Sequence, residues 1–188
     1  MPRLFTGLEA PADVVLRLSL LCGGVSGAKW IKPDDYHLTL SFIGNVDDSV
    51  ERSLVEELAA VVAPQLDVRL VELRSFGGDK PRSIVAMAEL SGGLADLQAA
   101  NDRALWRAGL EPERRKFTPH VTLARVKGAS AYAIAAYLNE RSIQPIEFIA
   151  PRFVLYSART SQGGGPYVVE AAYPLGGPQG SSTESQYR

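Results

Sequence analysis

The sequence predicts an α+β fold with two lobes, and three features indicate it. Apolar residues alternate in some segments and recur with helical spacing in others, so strands and helices interleave. Turn-rich stretches separate neighbouring strand segments, which favours antiparallel hairpins over a doubly wound parallel sheet. One four-residue pattern occurs twice, about half the chain apart: His37-Leu38-Thr39-Leu40 and His120-Val121-Thr122-Leu123. We therefore expect each lobe to bring one such strand to a shared cleft.

The first half of the chain predicts two strands and two helices. In chain order they are a strand over 3–8, a helix from residue 11 to the Gly23-Gly24 stop, a strand over 36–43 and a helix that ends before Pro64. Pro11 suits the first turn of its helix, and the turn at 33–35 leads into the second strand. Asp47 and Asp48 are the candidate N-caps of the second helix.

The second half repeats this kind of order. The predicted elements are strands over 66–73 and 83–90, a helix over 94–108, a strand over 119–126, a helix over 129–141, and strands over 147–158 and 167–173. Gly109 ends the first of these helices, and Gly163-Gly164-Gly165 marks a hairpin between the last two strands. Residues 176–188 lack apolar periodicity, so we expect a disordered tail after one bilobal domain over 1–175.

Composition limits the classes of function. With 46% hydrophobic residues the chain can bury a core, and with a net charge of −1 it is not a general polyanion binder. Cys22 is the only cysteine, which excludes an internal disulfide and fits a reducing cytosol. The apolar run 14–21 contains Arg17 and is too short to span a bilayer. We expect a soluble, cytoplasmic protein.

The repeated pattern carries the chemistry. In a strand, residues two apart face the same side, so each tetrad presents one His and one Thr to one face and two aliphatic residues to the other. The four predicted cleft residues are His37, Thr39, His120 and Thr122. Imidazole exchanges protons near neutral pH, and a Thr hydroxyl donates to anionic oxygens. Two such pairs facing each other would form an acid–base clamp around one phosphoryl group.

The sequence lacks the residues that two other catalytic chemistries require, a metal site and a nucleophilic triad. Zinc needs three or four His, Cys or carboxylate ligands, and neither tetrad carries an acidic residue on its His–Thr face. No Ser or Cys has a nucleophile-elbow context, and Cys22 lies in an apolar helix. Phosphoryl chemistry with one histidine as base and the other as acid remains, and it requires no metal or cofactor.

Two longer segments contain the tetrads: residues 30–46 read WIKPDDYHLTLSFIGNV, and residues 117–125 read FTPHVTLAR. They resemble the signature segments of the 2H phosphodiesterase superfamily. The nearer likeness is to bacterial RNA 2′,3′-cyclic phosphodiesterases, also described as 2′-5′ RNA ligases. The opening RLFTGLEAP and the closing FVLYSARTSQGGGPYVVEAAYPL are similar to that group as well, so the resemblance spans residues 3–175.

The resemblance implies two antiparallel sheets that face across a central cleft with helices outside, related by a pseudo-two-fold repeat. It implies opening of RNA-terminal 2′,3′-cyclic phosphate to a 2′-phosphate. His37 would donate a proton to O3′, and His120 would accept one from water. From the residues alone this polarity stays open, because the tetrads are nearly interchangeable.

The resemblance also assigns phosphate binding to Arg125 and contact with the nucleobase to Phe42. Strand alternation points both side chains away from the histidines, and a β-bulge would turn them back. Otherwise Phe42 is a core aromatic and Arg125 a surface charge. Residues 114–116, Arg-Arg-Lys, either attract the RNA backbone or form a solvated loop. Further cleft candidates are Lys32, Lys80 and Arg82, whereas core packing accounts for Tyr156 and Tyr167.

Four functions stay open from the sequence. Hydrolysis of cyclic phosphate ends is the first, and 2′-5′ ligation is the same chemistry reversed. A different small cyclic phosphate is a third substrate class, and a non-catalytic RNA-binding module is the fourth possibility. The partners expected are RNA ends or nucleotides with 2′,3′-cyclic phosphate, with no membrane or protein partner, and the protein is expected to be a monomer.

Overall fold

The computed structural model describes residues 3–158 and 166–176. Within them the chain forms nine strands, four α-helices and one short 3₁₀ helix at Pro33–Asp35. The strands are β1 Arg3–Glu9, β2 Ala28–Trp30, β3 His37–Asn45, β4 Leu66–Phe76, β5 Ser83–Ala88, β6 His120–Val126, β7 Ile146–Ala150, β8 Arg152–Ala158 and β9 Tyr167–Pro174. The helices are α1 Ala12–Ser19, α2 Asp48–Ala59, α3 Gly92–Arg107 and α4 Ala131–Glu140.

The strands form one sheet in the order β7-β4-β5-β6-β3-β1-β8-β9, with β2 paired to β6, and every neighbouring pair is antiparallel. The α+β class is confirmed. The two expected sheets are two halves of this sheet, because β3 and β6 pair at one position only, Leu38 with Val121. Away from that pair β3 and β6 are not hydrogen-bonded to each other.

The aliphatic residues of both tetrads lie in the core, as strand alternation predicts. Leu38 and Val121 are 1% exposed, and Leu40 and Leu123 are 3% and 0% exposed. These four side chains join one apolar cluster with residues of α1, α2 and α3. Burial of the aliphatic face fixes the orientation of each strand, so the His–Thr face points to the other side of the sheet.

The predicted strand over 147–158 is wrong as a single element. It is two strands, β7 and β8, separated at Pro151. β7 pairs with β4 and β8 pairs with β1, so they belong to opposite halves of the sheet. Proline has no N–H to donate to a ladder, and the apolar residues on both sides of it concealed the break. The short strand β2 was also not predicted.

The ends of the other elements differ by a few residues. Asp47 is the N-cap of α2, and its carboxylate accepts the N–H groups of Ser49 and Val50. The predicted hairpin loop around 163–165 lies outside the described residues. The predicted disordered tail 176–188 does so too, except Gly176, whose N–H donates to Ala63 O at 2.8 Å. No helix in the described ranges is both long and apolar enough to cross a membrane.

Candidate active site

The two histidines hold matching positions at the start of β3 and of β6. His37 Nδ1 lies 2.8 Å from Asp35 O, and His120 Nδ1 lies 2.7 Å from Thr118 O. A carbonyl oxygen can only accept, so Nδ1 carries the proton in both rings. Each Nε2 therefore has a free lone pair in the neutral ring and a free N–H in the charged one. Both histidines can act as base or acid through Nε2.

Both rings line one cavity of about 480 Å³, which we call the histidine cavity. Of the predicted site residues, Thr39, Phe42 and Arg125 also line it. Thr122 is not among its lining residues. The Leu38–Val121 pair of antiparallel β3 and β6 places Thr122 in register with His37, and Thr39 in register with His120. Five of the six predicted residues thus line one cavity. The sixth, Thr122, lies on β6, the strand that carries His120 and Arg125.

A β-bulge at the last residue of each tetrad explains why Phe42 and Arg125 face the cavity. In the β1–β3 pair, Thr6 opposes Ser41 and Gly7 opposes Thr39, so Leu40 is an extra residue. In the β5–β6 pair, Leu123 is the extra residue in the same way. An extra residue reverses the alternation of the side chains that follow it.

The two strands share one burial pattern as a result. The first six residues of β3 and of β6 have the same order of burial. They are half-buried, buried, half-buried, buried, buried and exposed. The sixth residues are Phe42 and Arg125. Phe42 is 36% exposed and is therefore not a core aromatic.

Aromatic rings enclose His37 more completely than His120. The ring centroids of Phe5, Tyr156 and Tyr167 lie 4.8, 5.4 and 4.9 Å from that of His37. His120 has one close aromatic neighbour among the described residues, Phe76, at 4.9 Å. The unequal enclosure makes His37 the more desolvated of two otherwise matched groups.

The electrostatics of the site follow from this enclosure. Burial lowers the pKa of His37 from 6.5 to about 4, against an opposing effect of the carbonyl and carboxylate of Asp35. Burial also lowers the pKa of His120, and the hydrogen bond to Thr118 opposes it. The charge of Arg125 lowers the pKa of both rings. Both shifts favour the neutral form of the rings, and a bound anion would raise both pKa values.

Sequence reasoning missed several lining residues. Arg3, Phe5, Glu113 and Tyr167 line the histidine cavity. Phe5 and Tyr167 can be recognised as site residues only from the strand pairing. Phe5 lies on β1, which pairs with β3, and Tyr167 lies on β9, which pairs with β8. Tyr156 is buried, as core packing predicts, whereas Tyr167 is half-buried and lies edge-on to His37.

The predicted basic residues divide into two groups. Arg115 lines the histidine cavity, where its guanidinium pairs with Glu113. Arg114 lies outside that lining, with its guanidinium 3.9 Å from Glu111. The remaining cleft candidates are not among the lining residues: Lys32, Lys80 and Arg82. The cationic side chains that line the histidine cavity are therefore Arg3, Arg115 and Arg125, and Lys116 lines a cavity beside it.

The antiparallel sheet brings two histidines to one arginine-lined cavity, each two residues before a threonine. Two imidazoles placed in this way can serve as acid and base toward a bound phosphate ester. Comparison with known proteins agrees. Residues 25–162 match the family model described as the 2′-5′ RNA ligase superfamily. The chain belongs to this superfamily.

Its relatives include proteins named RNA 2′,3′-cyclic phosphodiesterase. The one from Aeropyrum pernix is 37% identical over 121 residues, 61% of this chain and 65% of the relative. The one from Geobacillus stearothermophilus is 32% identical over 160 residues, 82% of this chain and 50% of the relative. The match thus spans less than two thirds of either relative. The Bacillus subtilis relative is 30% identical over 138 residues, 71% of this chain and 74% of its own length.

Solved structures support the fold. LigT of E. coli, in its apo form, is 22% identical with a TM-score of 0.75, over 93% of this chain and 98% of its own. A protein from Thermus thermophilus is 23% identical with a TM-score of 0.73, over 94% of this chain and 99% of its own.

Proposed function

We propose that the protein hydrolyses 2′,3′-cyclic phosphate at RNA ends and on nucleosides to a 2′-phosphomonoester, by two-histidine acid–base catalysis without a metal. The observation that carries the proposal is the matched Nδ1–H donation of both histidines to backbone carbonyls, which leaves two Nε2 atoms for one cavity. The names of the Aeropyrum, Geobacillus and Bacillus relatives support the same substrate class.

The proposed reaction is one displacement at phosphorus. His120 Nε2 takes a proton from water as the water oxygen bonds to phosphorus. The P–O3′ bond breaks, and protonated His37 gives its Nε2 proton to O3′. The product is a 2′-phosphate with a free 3′-hydroxyl, and a proton exchange with solvent restores both rings. This polarity follows the family resemblance, since either ring can serve in either role.

Four other side chains have proposed parts. The hydroxyls of Thr39 and Thr122 donate to the non-bridging phosphate oxygens as negative charge builds. Arg125 pairs with the phosphate through its planar guanidinium, and its exposure at the cavity wall suits this part. Phe42 contacts the nucleobase with the part of its ring that stays exposed, since the Arg3 guanidinium lies over one face at 4.5 Å from the centroid.

Ligation is the second candidate, and the description of the matching family favours it. In ligation a 5′-hydroxyl attacks phosphorus in place of water, the P–O3′ bond breaks, and the product is a 2′-5′ link with a free 3′-hydroxyl. The same histidines would serve, so the direction depends on the substrates offered. Water at bulk concentration favours hydrolysis when no 5′-hydroxyl end is bound.

The test is hydrolysis of a short RNA with a 2′,3′-cyclic end in the presence of EDTA. We expect a 2′-phosphate product that resists a 3′-specific phosphatase, and loss of turnover by at least about 100-fold in His37→Ala and in His120→Ala. Lys80→Ala, an exposed residue outside the cavity lining, is the matched surface control. A 3′-phosphate product would overturn the proposed polarity of bond cleavage.

The same assay separates the other candidates. Turnover retained in the His37→Ala, His120→Ala double variant would refute two-histidine catalysis. Binding of the cyclic RNA without any turnover would identify a binding module, and turnover restricted to another cyclic phosphate would exclude RNA as the substrate. RNA as substrate and a lone cysteine fit the cytoplasm, the location we propose, and the proposed working unit is the monomer.

A further inference from the structure

A second cavity of about 330 Å³ opens beside the histidine cavity. We call it the side cavity. The two cavities are adjacent, because five residues line both: Thr39, Phe42, Glu113, Arg115 and His120. A nucleobase is one sugar away from its own 2′ and 3′ oxygens. A phosphate held between the histidines would therefore leave its base at the junction of the two cavities.

The walls of the side cavity combine aromatic rings, the Glu113–Arg115 ion pair, Lys116 and the carboxylate of Asp102. Phe42, Phe76 and Phe117 provide apolar surface against which a flat base can stack. Asp102 and Gln98, both on α3, line the same cavity. The proposed phosphodiester chemistry gives neither of them a part.

Hydrogen bonds fix the carboxylate of Asp102. Ser41 Oγ donates to Asp102 Oδ1 at 2.7 Å, and Gln98 Nε2 donates to Asp102 Oδ2 at 2.7 Å. Ser41 belongs to β3, just past the bulge, so these bonds tie the acid of α3 to the strand that carries His37. Each carboxylate oxygen has two lone pairs and uses one of them here. Two parallel acceptor positions remain on a group whose orientation is already set.

Two parallel acceptors match one base. Guanine presents N1–H and the 2-amino group side by side on its Watson–Crick edge. Adenine and cytosine each place a ring nitrogen acceptor beside their amino group, and uracil places its single N–H between two carbonyls. A fixed carboxylate therefore favours guanine and opposes the lone pairs of the other three bases.

We propose that the side cavity binds the base of the terminal nucleotide and that Asp102, held by Ser41 and Gln98, selects guanine. This inference rests on the proposed function, because it concerns the specificity of the same site. A bidentate pair between a side chain and a base discriminates by about 10- to 100-fold.

The experiment compares kcat/KM for the four nucleoside 2′,3′-cyclic phosphates in the wild type and in Asp102→Asn. We expect guanosine to exceed uridine by about tenfold or more, and Asp102→Asn to remove this preference by lowering the guanosine value only. Asp96→Asn makes the same change of charge elsewhere on α3, outside the lining of the side cavity, and serves as the matched control. Calorimetry with 2′-GMP and 2′-UMP gives the same comparison without turnover.

The outcomes distinguish the two proposals. Equal rates on all four bases, or a guanosine preference that survives in Asp102→Asn, would overturn base selection while leaving the proposed hydrolysis intact. Absence of turnover on every nucleotide and on RNA would overturn the proposed function itself. If Asp102→Asn does not fold by circular dichroism, Ser41→Ala takes its place. It frees Asp102 Oδ1, and the guanosine preference should fall by at least about threefold, whereas an unchanged preference would refute base selection.

Discussion

Acid should destabilise the folded protein through one side chain in particular, His37. Its pKa is lowered by burial to about 4 in the folded state, against 6.5 without burial. The unfolded chain therefore binds this proton more tightly than the folded one. The contribution of His37 to stability is complete above pH 6.5 and is lost as the pH falls towards 4. Between pH 7 and pH 4.5 these two pKa values correspond to a loss of about 2.5 kcal/mol in the free energy of unfolding.

His37→Asn isolates this effect. The asparagine amide can donate to Asp35 O as Nδ1 does, but it does not titrate. Urea unfolding followed by circular dichroism at pH 7 and pH 4.5 gives the free energy of unfolding of both proteins. The wild type should lose about 2.5 kcal/mol more than the variant, because titration of the carboxylates is common to both and cancels. Equal losses in the two proteins would refute the argument from burial.

Three further predictions concern the site and its support. The pH profile of kcat/KM should be bell-shaped with its maximum below pH 6.5, because both free-enzyme histidines have lowered pKa values; a maximum above pH 7 would contradict this. Gly7→Ala should lower the free energy of unfolding by about 1–3 kcal/mol in urea melts, because the new Cβ would lie 2.8 Å from Leu38 O. Gly92→Ala is the control, since a Cβ at that position has no neighbouring atom within 4 Å. Arg125→Ala should raise the pKa of both histidines in NMR titrations and lower kcat/KM by about 10- to 100-fold; unchanged pKa values would place the guanidinium away from the rings.

The orientation of the tetrads could be predicted because it depends on local alternation. Leu38 and Val121 must be buried, so His37 and His120 must face the other side. Phe42 and Arg125 could not be oriented in this way, because their direction depends on two bulges. A bulge is a mismatch between partner strands, and Thr6 opposite Ser41 is visible only when β1 is paired with β3.

Long-range pairing also explains the other failures of sequence reasoning. Residues 147–158 are predominantly apolar on both sides of Pro151, and their pairing with β4 and with β1 divides them into β7 and β8. Pro151 was the local signal of that division. The aromatic enclosure of His37 combines Phe5 of β1 with Tyr156 of β8 and Tyr167 of β9, three strands from opposite ends of the chain. No spacing rule relates such residues.

The bulges give the near-symmetric site a direction. Both halves supply a histidine, a threonine and a bulge, so the acid–base groups alone would accept a cyclic phosphate in either orientation. The sixth residue of each strand differs, however: it is aromatic in β3 and cationic in β6. Under the proposed function, Phe42 attracts the base to the first half and Arg125 holds the phosphate towards the second. Because that arrangement fixes which ester oxygen approaches which imidazole, the residues behind the bulges, rather than the repeated tetrads, determine which histidine is the acid.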